Sequence, residues 1–241
     1  MSTIENITNR INSIQDGVLF SYSDFKFSAD SMDAMAAAFS RLAAKGKIKR
    51  FGKGKYYKPK KGTFGEVPLS ENQILNSILK KNDKLTGYIT GTFAYNSLGL
   101  TTQIPNEYIV ATSNLRKPIV LGRIKVRFVK SYCEVEENNI PLLQLLDAMK
   151  DFKNIPGTNS DSVIELLKIK LKNLSPSEWK RIIQMAINYP PSTRALLGAL
   201  MELSAKDGLA LKLYKSLNPL SSYNLNISSK ILPNKEKWKI E

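Results

Sequence analysis

The residues best suited to chemistry in this chain are the lysines and arginines of one short stretch. Nine of them lie between positions 45 and 61 with no acidic residue among them: Lys45, Lys47, Lys49, Arg50, Lys53, Lys55, Lys58, Lys60 and Lys61. Such a cluster suits a polyanion, because each cation that neutralises a phosphate releases condensed counterions. The whole chain carries 36 basic and 21 acidic residues, a net charge of +15, which favours nucleic acid or an anionic membrane surface as partner.

Other kinds of site are poorly supported. Histidine is absent and Cys133 is the only cysteine, which excludes histidine-based catalysis, a cysteine zinc cluster and an intrachain disulfide. We find neither a glycine-rich phosphate loop nor an Asp-x-Asp pair for two-metal chemistry, and we interpret Glu134, Glu136 and Glu137 as a solvated loop. We therefore expect no enzyme, metal or cofactor.

The sequence also bears on location. The N-terminal residues lack the pattern of a signal peptide, and no apolar run approaches the ~18 residues that cross a bilayer. The cysteine usage fits a reducing compartment. We expect a soluble, cytoplasmic protein that does not enter a membrane.

Three helices and a hairpin must position the basic cluster. Isoleucines at helical spacing predict a helix over residues 3–14, and polar capping residues predict a short second helix over 21–27. A third helix runs from 32 to 45 and ends at a glycine. Two short runs around a glycine-containing turn then predict a β-hairpin near residues 46–58. This order predicts an N-terminal winged helix-turn-helix over residues 1–65, with the third helix in the major groove and the hairpin on the backbone or minor groove.

The candidate DNA-binding residues lie on the third helix, at its ends and on the hairpin: Ser31, Ser40, Arg41, Lys45, Lys47, Lys49, Arg50, Lys53 and Lys55. The outward positions of the third helix are largely alanine, which can touch a thymine methyl but cannot hydrogen-bond a base. We therefore expect affinity to come mainly from the hairpin, and specificity from few side chains or from DNA shape. Tyr56 and Tyr57 either pack the hairpin on the helices or donate to a phosphate.

The remainder of the chain, residues 66–241, is expected to form a larger domain, and the fold class is α+β. Residues 59–65 are interpreted as a linker, about 66–135 as an α/β part, about 136–218 as helical, and 219–241 as a polar tail.

Several stretches resemble the AbiEi family, the antitoxins of type IV toxin–antitoxin systems. The resemblance is carried by Phe39-Ser-Arg-Leu42, Gly46-Lys-Ile-Lys-Arg50 and Gly54-Lys-Tyr-Tyr57, and then by residues 87–105, 108–112 and 119–129. The stretch 87–105, GYITGTFAYNSLGLTTQIP, is not shared by winged helices in general.

The resemblance implies a function. Such antitoxins repress their own operon by binding inverted repeats in its promoter, and they counteract a nucleotidyltransferase-like toxin, typically without a stable toxin complex. By resemblance the candidate residues of the third helix and hairpin would face duplex DNA, and a homodimer on DNA is compatible with it. Ala36 and Ala37 depart from the polar residues that family members often carry there.

Two alternatives stay open. The same basic hairpin could serve a stand-alone transcriptional regulator, or it could bind RNA or single-stranded DNA. Single-strand binders usually display a platform of stacking aromatics, and only Phe51, Tyr56 and Tyr57 are adjacent here.

Overall fold

The structure is a computed structural model that describes residues 3–25, 32–52, 54–81, 84–204 and 206–241. It confirms the α+β class. The helices are α1 Thr3–Ser13, α2 Met32–Ala44, α3 Glu71–Leu79, α4 Thr92–Ser97, α5 Ile140–Asp151, α6 Ser160–Lys172, α7 Pro176–Ala186, α8 Pro191–Glu202 and α9 Asp207–Lys215. The strands are β1 Leu19–Ser21, β2 Lys49–Gly52, β3 Lys55–Tyr57, β4 Lys60–Gly62, β5 Gly65–Val67, β6 Lys80–Lys81, β7 Lys84–Leu85, β8 Gly87–Thr90, β9 Tyr108–Thr112, β10 Ile119–Leu121 and β11 Ile124–Lys130.

The contacts divide the chain into two units. The first comprises Met1–Thr86 and Ile119–Lys125, and the second Gly87–Pro118 and Val126–Glu241. The sequence suggested a boundary at residue 65, whereas residues 66–86 group with the first unit. A capped helix accounts for part of this segment: the hydroxyl of Ser70 accepts from the backbone N–H of Gln73, and α3 then buries Ile74, Leu75 and Ile78.

The first unit is built on one apolar face of each of its first two helices. α1 buries Ile7 and Ile11, and α2 buries Met35, Phe39 and Leu42, in a cluster that Phe20 of β1 also joins. Residues three and four apart share a helix face, so these spacings produce one buried stripe per helix. β1, β3 and β2 form an antiparallel sheet in that order.

The predicted linker over residues 59–65 is wrong. β4 and β5 form an antiparallel hairpin, with Lys60 opposite Val67 and Lys61 opposite Glu66. The Gly-Thr-Phe-Gly sequence between the two short runs is a turn, and Gly65 adopts a φ of +112° that a side chain would oppose. The glycines and charged residues of this stretch suggested an unstructured connection, but in the structure they belong to a hairpin.

The second unit combines a small sheet with a helical core. β8 pairs with β9 antiparallel, and β11 pairs with β9 parallel. α5 and α8 are buried on most of their surface, from Leu142 to Met149 and from Ala195 to Met201 apart from Gln144. A helix that is apolar nearly all round belongs at the centre of a helical layer.

The predicted polar tail, residues 219–241, contributes to this core. Leu225, Ile227, Leu232, Trp238 and Ile240 are all buried. The Trp238 ring lies so close to Gly198 of α8 that an added Cβ there would approach it to 2.1 Å. Its indole N–H donates to Glu202 at 2.9 Å. The apolar residues of the segment are spread too widely to form a periodic pattern, which explains why composition alone suggested a tail.

None of the described helices has the length and apolar character needed to traverse a bilayer.

Candidate nucleic-acid interface

α2 presents a small, mostly uncharged outer face. Its inner face packs through Met35, Ala38, Phe39 and Leu42, while Ser40 and Arg41 lie exposed on the other side. Ala36 and Ala44 are also exposed, and Ala37 is half-buried, so alanine dominates this surface as expected. Ser31, the candidate at the start of the helix, lies outside the described residues.

The connection from α2 to β2 supplies two further exposed cations. Gly46 ends the helix with a φ of +65°, and its N–H donates to the carbonyl of Ala43 at 2.9 Å. Lys45 and Lys47 flank this glycine and are both exposed. Ile48 then turns inward and is buried, which anchors the start of the hairpin to the core.

Aromatic contacts fix the sheet against α2. The ring of Tyr56 on β3 packs edge-on against Phe39 of α2, with centroids 4.9 Å apart. Its hydroxyl shares a 3.3 Å hydrogen bond with that of Tyr22. Burial and this hydrogen bond raise the pKa of Tyr22 to about 12. Of the two roles considered for Tyr56, the structure shows packing.

Three of the hairpin lysines are engaged by the protein itself. Lys49 forms an ion pair with Glu66 of β5, and Lys58 forms one with Asp16 at 3.2 Å. The Lys58 ammonium also donates to the carbonyl of Ile14 at 2.7 Å, and that of Lys55 donates to the carbonyl of Ser77 at 3.2 Å. Lys55 is half-buried, so its placement toward α3 does not support the expected DNA-facing role.

Carboxylates therefore offset part of the positive charge of the basic hairpin in the folded protein. Asp16 and Glu66 lie outside residues 45–61 in the sequence, but the fold brings them to the basic hairpin. Hydrogen bonds from Lys49 and from the Tyr57 hydroxyl hold the pKa of Glu66 below its usual value. Burial and the same hydrogen bond, 2.8 Å long, raise the pKa of Tyr57 to about 12.

The segment that runs from α2 through its connection into β2 nonetheless keeps several exposed cations. Arg41, Lys45, Lys47, Lys49 and Arg50 are all exposed, and Lys60 and Lys61 of β4 are exposed as well. The Arg50 Nε–H donates to the carbonyl of Gly52 over a long distance of 3.4 Å. Lys53 lies outside the described residues. Exposed lysine–carboxylate pairs contribute only about 0–1 kcal/mol, so a phosphate can compete for Lys49.

A second polar cluster, in the other unit, escaped the sequence analysis. Asp147 of α5 is buried and accepts from the hydroxyls of Thr90 at 2.6 Å, Tyr88 at 2.8 Å and Tyr189 at 2.9 Å. Burial raises the pKa of Asp147 despite these three donors. The available signal was an acidic residue, Asp147, within the otherwise apolar run from Leu145 to Met149 of α5.

This cluster explains much of the Gly87–Pro105 stretch. Tyr88 and Thr90 are held on β8, where a Cβ on Gly87 would come within 2.9 Å of the Ala111 carbonyl. Gly91 adopts a φ of +68° before α4, and Gly99 adopts +73° after it. These residues form packing and turns within the second unit.

Within the described part of the chain, no group of three His, Cys, Asp or Glu residues is placed to hold a metal ion. Glu134, Glu136 and Glu137 are exposed. Cys133 is half-buried, and its thiol donates to the Met185 carbonyl at 3.5 Å. Burial raises the pKa of this thiol, which disfavours the reactive thiolate.

Comparison with known proteins shows the family. Residues 6–140 match the group described as "Family of unknown function (DUF6088)", and the chain belongs to it. No curated protein matches the chain. Among solved structures, the crystal structure of the RV2827C protein from Mycobacterium tuberculosis is similar with a TM-score of 0.41 and 12% sequence identity, covering 92% of this chain and 84% of that one.

Proposed function

We propose that this DUF6088 member binds duplex DNA through an N-terminal winged helix-turn-helix and acts as a transcriptional repressor. The observation that carries the proposal is the sheet order β1–β3–β2, packed on α2, with exposed cations on the segment that joins α2 to β2. A winged helix has the same arrangement: a first strand pairs with the last, and the hairpin follows the recognition helix.

In this proposal α2 enters the major groove and the β2–β3 hairpin follows the phosphate backbone. Ser40 and Arg41 are the side chains on α2 that could hydrogen-bond base edges, since the alanines beside them can only touch thymine methyls. Lys45, Lys47 and Arg50 would neutralise phosphates. Binding should therefore weaken steeply as salt rises, with base specificity spread over few contacts.

RNA or single-stranded DNA is the less favoured partner. The wing aromatics are occupied: Tyr56 packs on Phe39, the Tyr57 hydroxyl donates to Glu66, and Phe51 meets the Tyr57 ring edge-on. A platform for successive bases needs several exposed ring faces.

We further propose, from the resemblance to AbiEi antitoxins, that the protein represses its own operon at inverted repeats and counteracts a nucleotidyltransferase-like toxin. The resemblance assigns the toxin-counteracting role to the second unit, and the DNA contacts to the first.

The test of DNA binding uses the triple variant Arg41→Ala, Lys47→Ala, Arg50→Ala in the full chain. Fluorescence anisotropy is measured on a duplex selected by the wild-type protein from a randomised pool, across a range of salt concentrations. The slope of log K against log salt should fall by about 2, since Lys47 and Arg50 are the phosphate contacts removed and each contributes about 0.9. The melting temperature should stay the same, because all three side chains are exposed.

The matched control replaces three exposed lysines of the second unit, Lys172, Lys180 and Lys230, with alanine. These should leave the slope nearly unchanged. Equal losses in both variants, or tighter binding to the single strand or its RNA counterpart than to the duplex, would contradict the proposal.

A further inference from the structure

The hairpin β4–β5 carries a fully exposed aromatic ring at its turn. Gly62 pairs with Gly65, so Thr63 and Phe64 form a two-residue turn. Phe64 has a relative exposure of 104%, the highest among the exposed large apolar side chains described. Every residue from 60 to 68 is exposed, so this hairpin buries almost nothing of its own.

The hairpin is tied to the basic wing by its second strand. Glu66 of β5 accepts from the Tyr57 hydroxyl of β3 at 2.8 Å and pairs with Lys49 of β2. Phe64 lies only two residues before this anchor. The aromatic turn is therefore continuous with the surface proposed to contact DNA.

The charge beside Phe64 indicates what kind of partner the turn would meet. Lys60 and Lys61 lie on β4, immediately before the turn, and both are exposed. Single exposed apolar residues are common and need no explanation. Here, however, the ring is at the tip of a cationic hairpin that is attached to a cationic sheet, a combination suited to a phosphate-lined groove.

We infer that Phe64 inserts between base pairs from the minor groove, while Lys60 and Lys61 hold the adjacent phosphates. This inference rests on the proposed DNA-binding function and adds a kinking wedge to it. Proteins that bend DNA commonly unstack a base step with an apolar side chain and kink the duplex by about 20–90°. Flexible pyrimidine–purine steps would be favoured at that position, since they unstack most easily.

The experiment compares Phe64→Ala and Phe64→Trp with Ile104→Ala, which truncates a side chain of the second unit that is 90% exposed. The probe is the selected duplex with a dye at each end, so that anisotropy reports affinity and energy transfer reports bending. Phe64→Ala should bind roughly tenfold or more weakly and lose the bend, with an unchanged salt slope. Phe64→Trp and Ile104→Ala should behave as the wild type.

The lysines give a complementary readout. Lys60→Ala or Lys61→Ala should each reduce the salt slope by about one, because they remove a phosphate contact rather than a stacking contact. A reduced salt slope for Phe64→Ala, or an unchanged salt slope for Lys60→Ala and Lys61→Ala, would contradict this division of roles.

Each remaining outcome is decisive. If Phe64→Ala binds and bends as the wild type does, while the Arg41/Lys47/Arg50 variant fails to bind, the wedge is overturned and the DNA-binding proposal stands. If the wild type selects no duplex, both are overturned. If Phe64→Ala instead changes the mass of the DNA-free protein in light scattering and leaves DNA affinity intact, the turn is a contact between copies, which also overturns the inference.

Discussion

At the scale of single residues, the least expected feature is the carboxylate of Asp147. A buried charge is costly unless it is hydrogen-bonded, and here three hydroxyls donate to it. Because burial raises its pKa, the folded state binds a proton more readily than the unfolded chain does. The second unit should therefore gain stability as pH falls from above the raised folded pKa toward the ordinary aspartate value of 3.8, and lose it as pH rises.

We predict that Asp147→Ala lowers the free energy of unfolding by about 3 kcal/mol or more, because three buried hydroxyls lose their acceptor. Asp147→Asn should cost less and should remove this group's pH dependence. Denaturant titrations at a series of pH values check both: the wild type's advantage over Asp147→Asn should grow on acidification. A constant difference would show that the residue titrates alike in the folded and unfolded states.

Asp151→Asn is the matched control, because Asp151 sits one turn later on α5 and accepts from Tyr95 at 2.8 Å. It is only half-buried. Its replacement should change stability less than Asp147→Asn does.

At the scale of elements, some cations of the basic hairpin hold the fold together, and others are exposed to solvent. Lys55 and Lys58 contact backbone carbonyls, whereas Lys45 and Lys47 are exposed outside the strands. Lys49 lies between these cases, since it is exposed and yet paired with Glu66. Composition could locate the cluster, but only the fold could show which members are engaged.

We predict that Glu66→Gln tightens binding to duplex DNA, because it releases Lys49 for a phosphate. The salt slope should rise by about 0.9, which anisotropy at several salt concentrations would reveal. The control Glu71→Gln removes the same charge from an exposed position on α3 and should leave the slope unchanged. If both variants tighten binding equally, only the overall charge matters.

The ion pair between Glu66 and Lys49 also depends on pH. Because the pKa of Glu66 is lowered, its pairing with Lys49 is complete above the usual glutamate range and is lost only as pH falls through the depressed folded value. Lys49 should therefore remain paired throughout the neutral range in the absence of DNA.

At the scale of the whole molecule, periodic patterns predicted well and long-range partners did not. The isoleucines of α1 marked a real helix, because they lie only a few positions apart. The polar residues that predicted a second helix over 21–27 form only a three-residue 3-10 turn, Tyr22–Asp24, within the described residues. The β4–β5 hairpin, the partners of Asp147 and the burial of Trp238 depend on residues distant in sequence, whose pairing no local pattern encodes. The charge of the sequence indicated the candidate DNA surface, but it did not indicate that Asp16 and Glu66 pair with lysines of that surface.

The two units suggest a separation of roles that can be tested in cells. Under the antitoxin proposal, the Arg41/Lys47/Arg50 variant should lose repression of a reporter carrying the protein's own promoter, yet still restore growth when the nucleotidyltransferase-like toxin is expressed. Colony counts and reporter activity measure the two effects. Failure of the wild type to restore growth would reject the antitoxin role while leaving DNA binding intact.

The chain order of the two units has a consequence for synthesis on the ribosome. The first unit includes Ile119–Lys125, so it cannot be complete until residue 125 has left the exit tunnel. Trp238 is part of the buried core of the second unit, so this unit stays incomplete until residue 238 has left the exit tunnel. A nascent chain thus acquires its proposed DNA-binding unit well before the other, and any product that stops short of Trp238 carries an unfinished core that quality-control proteases can recognise.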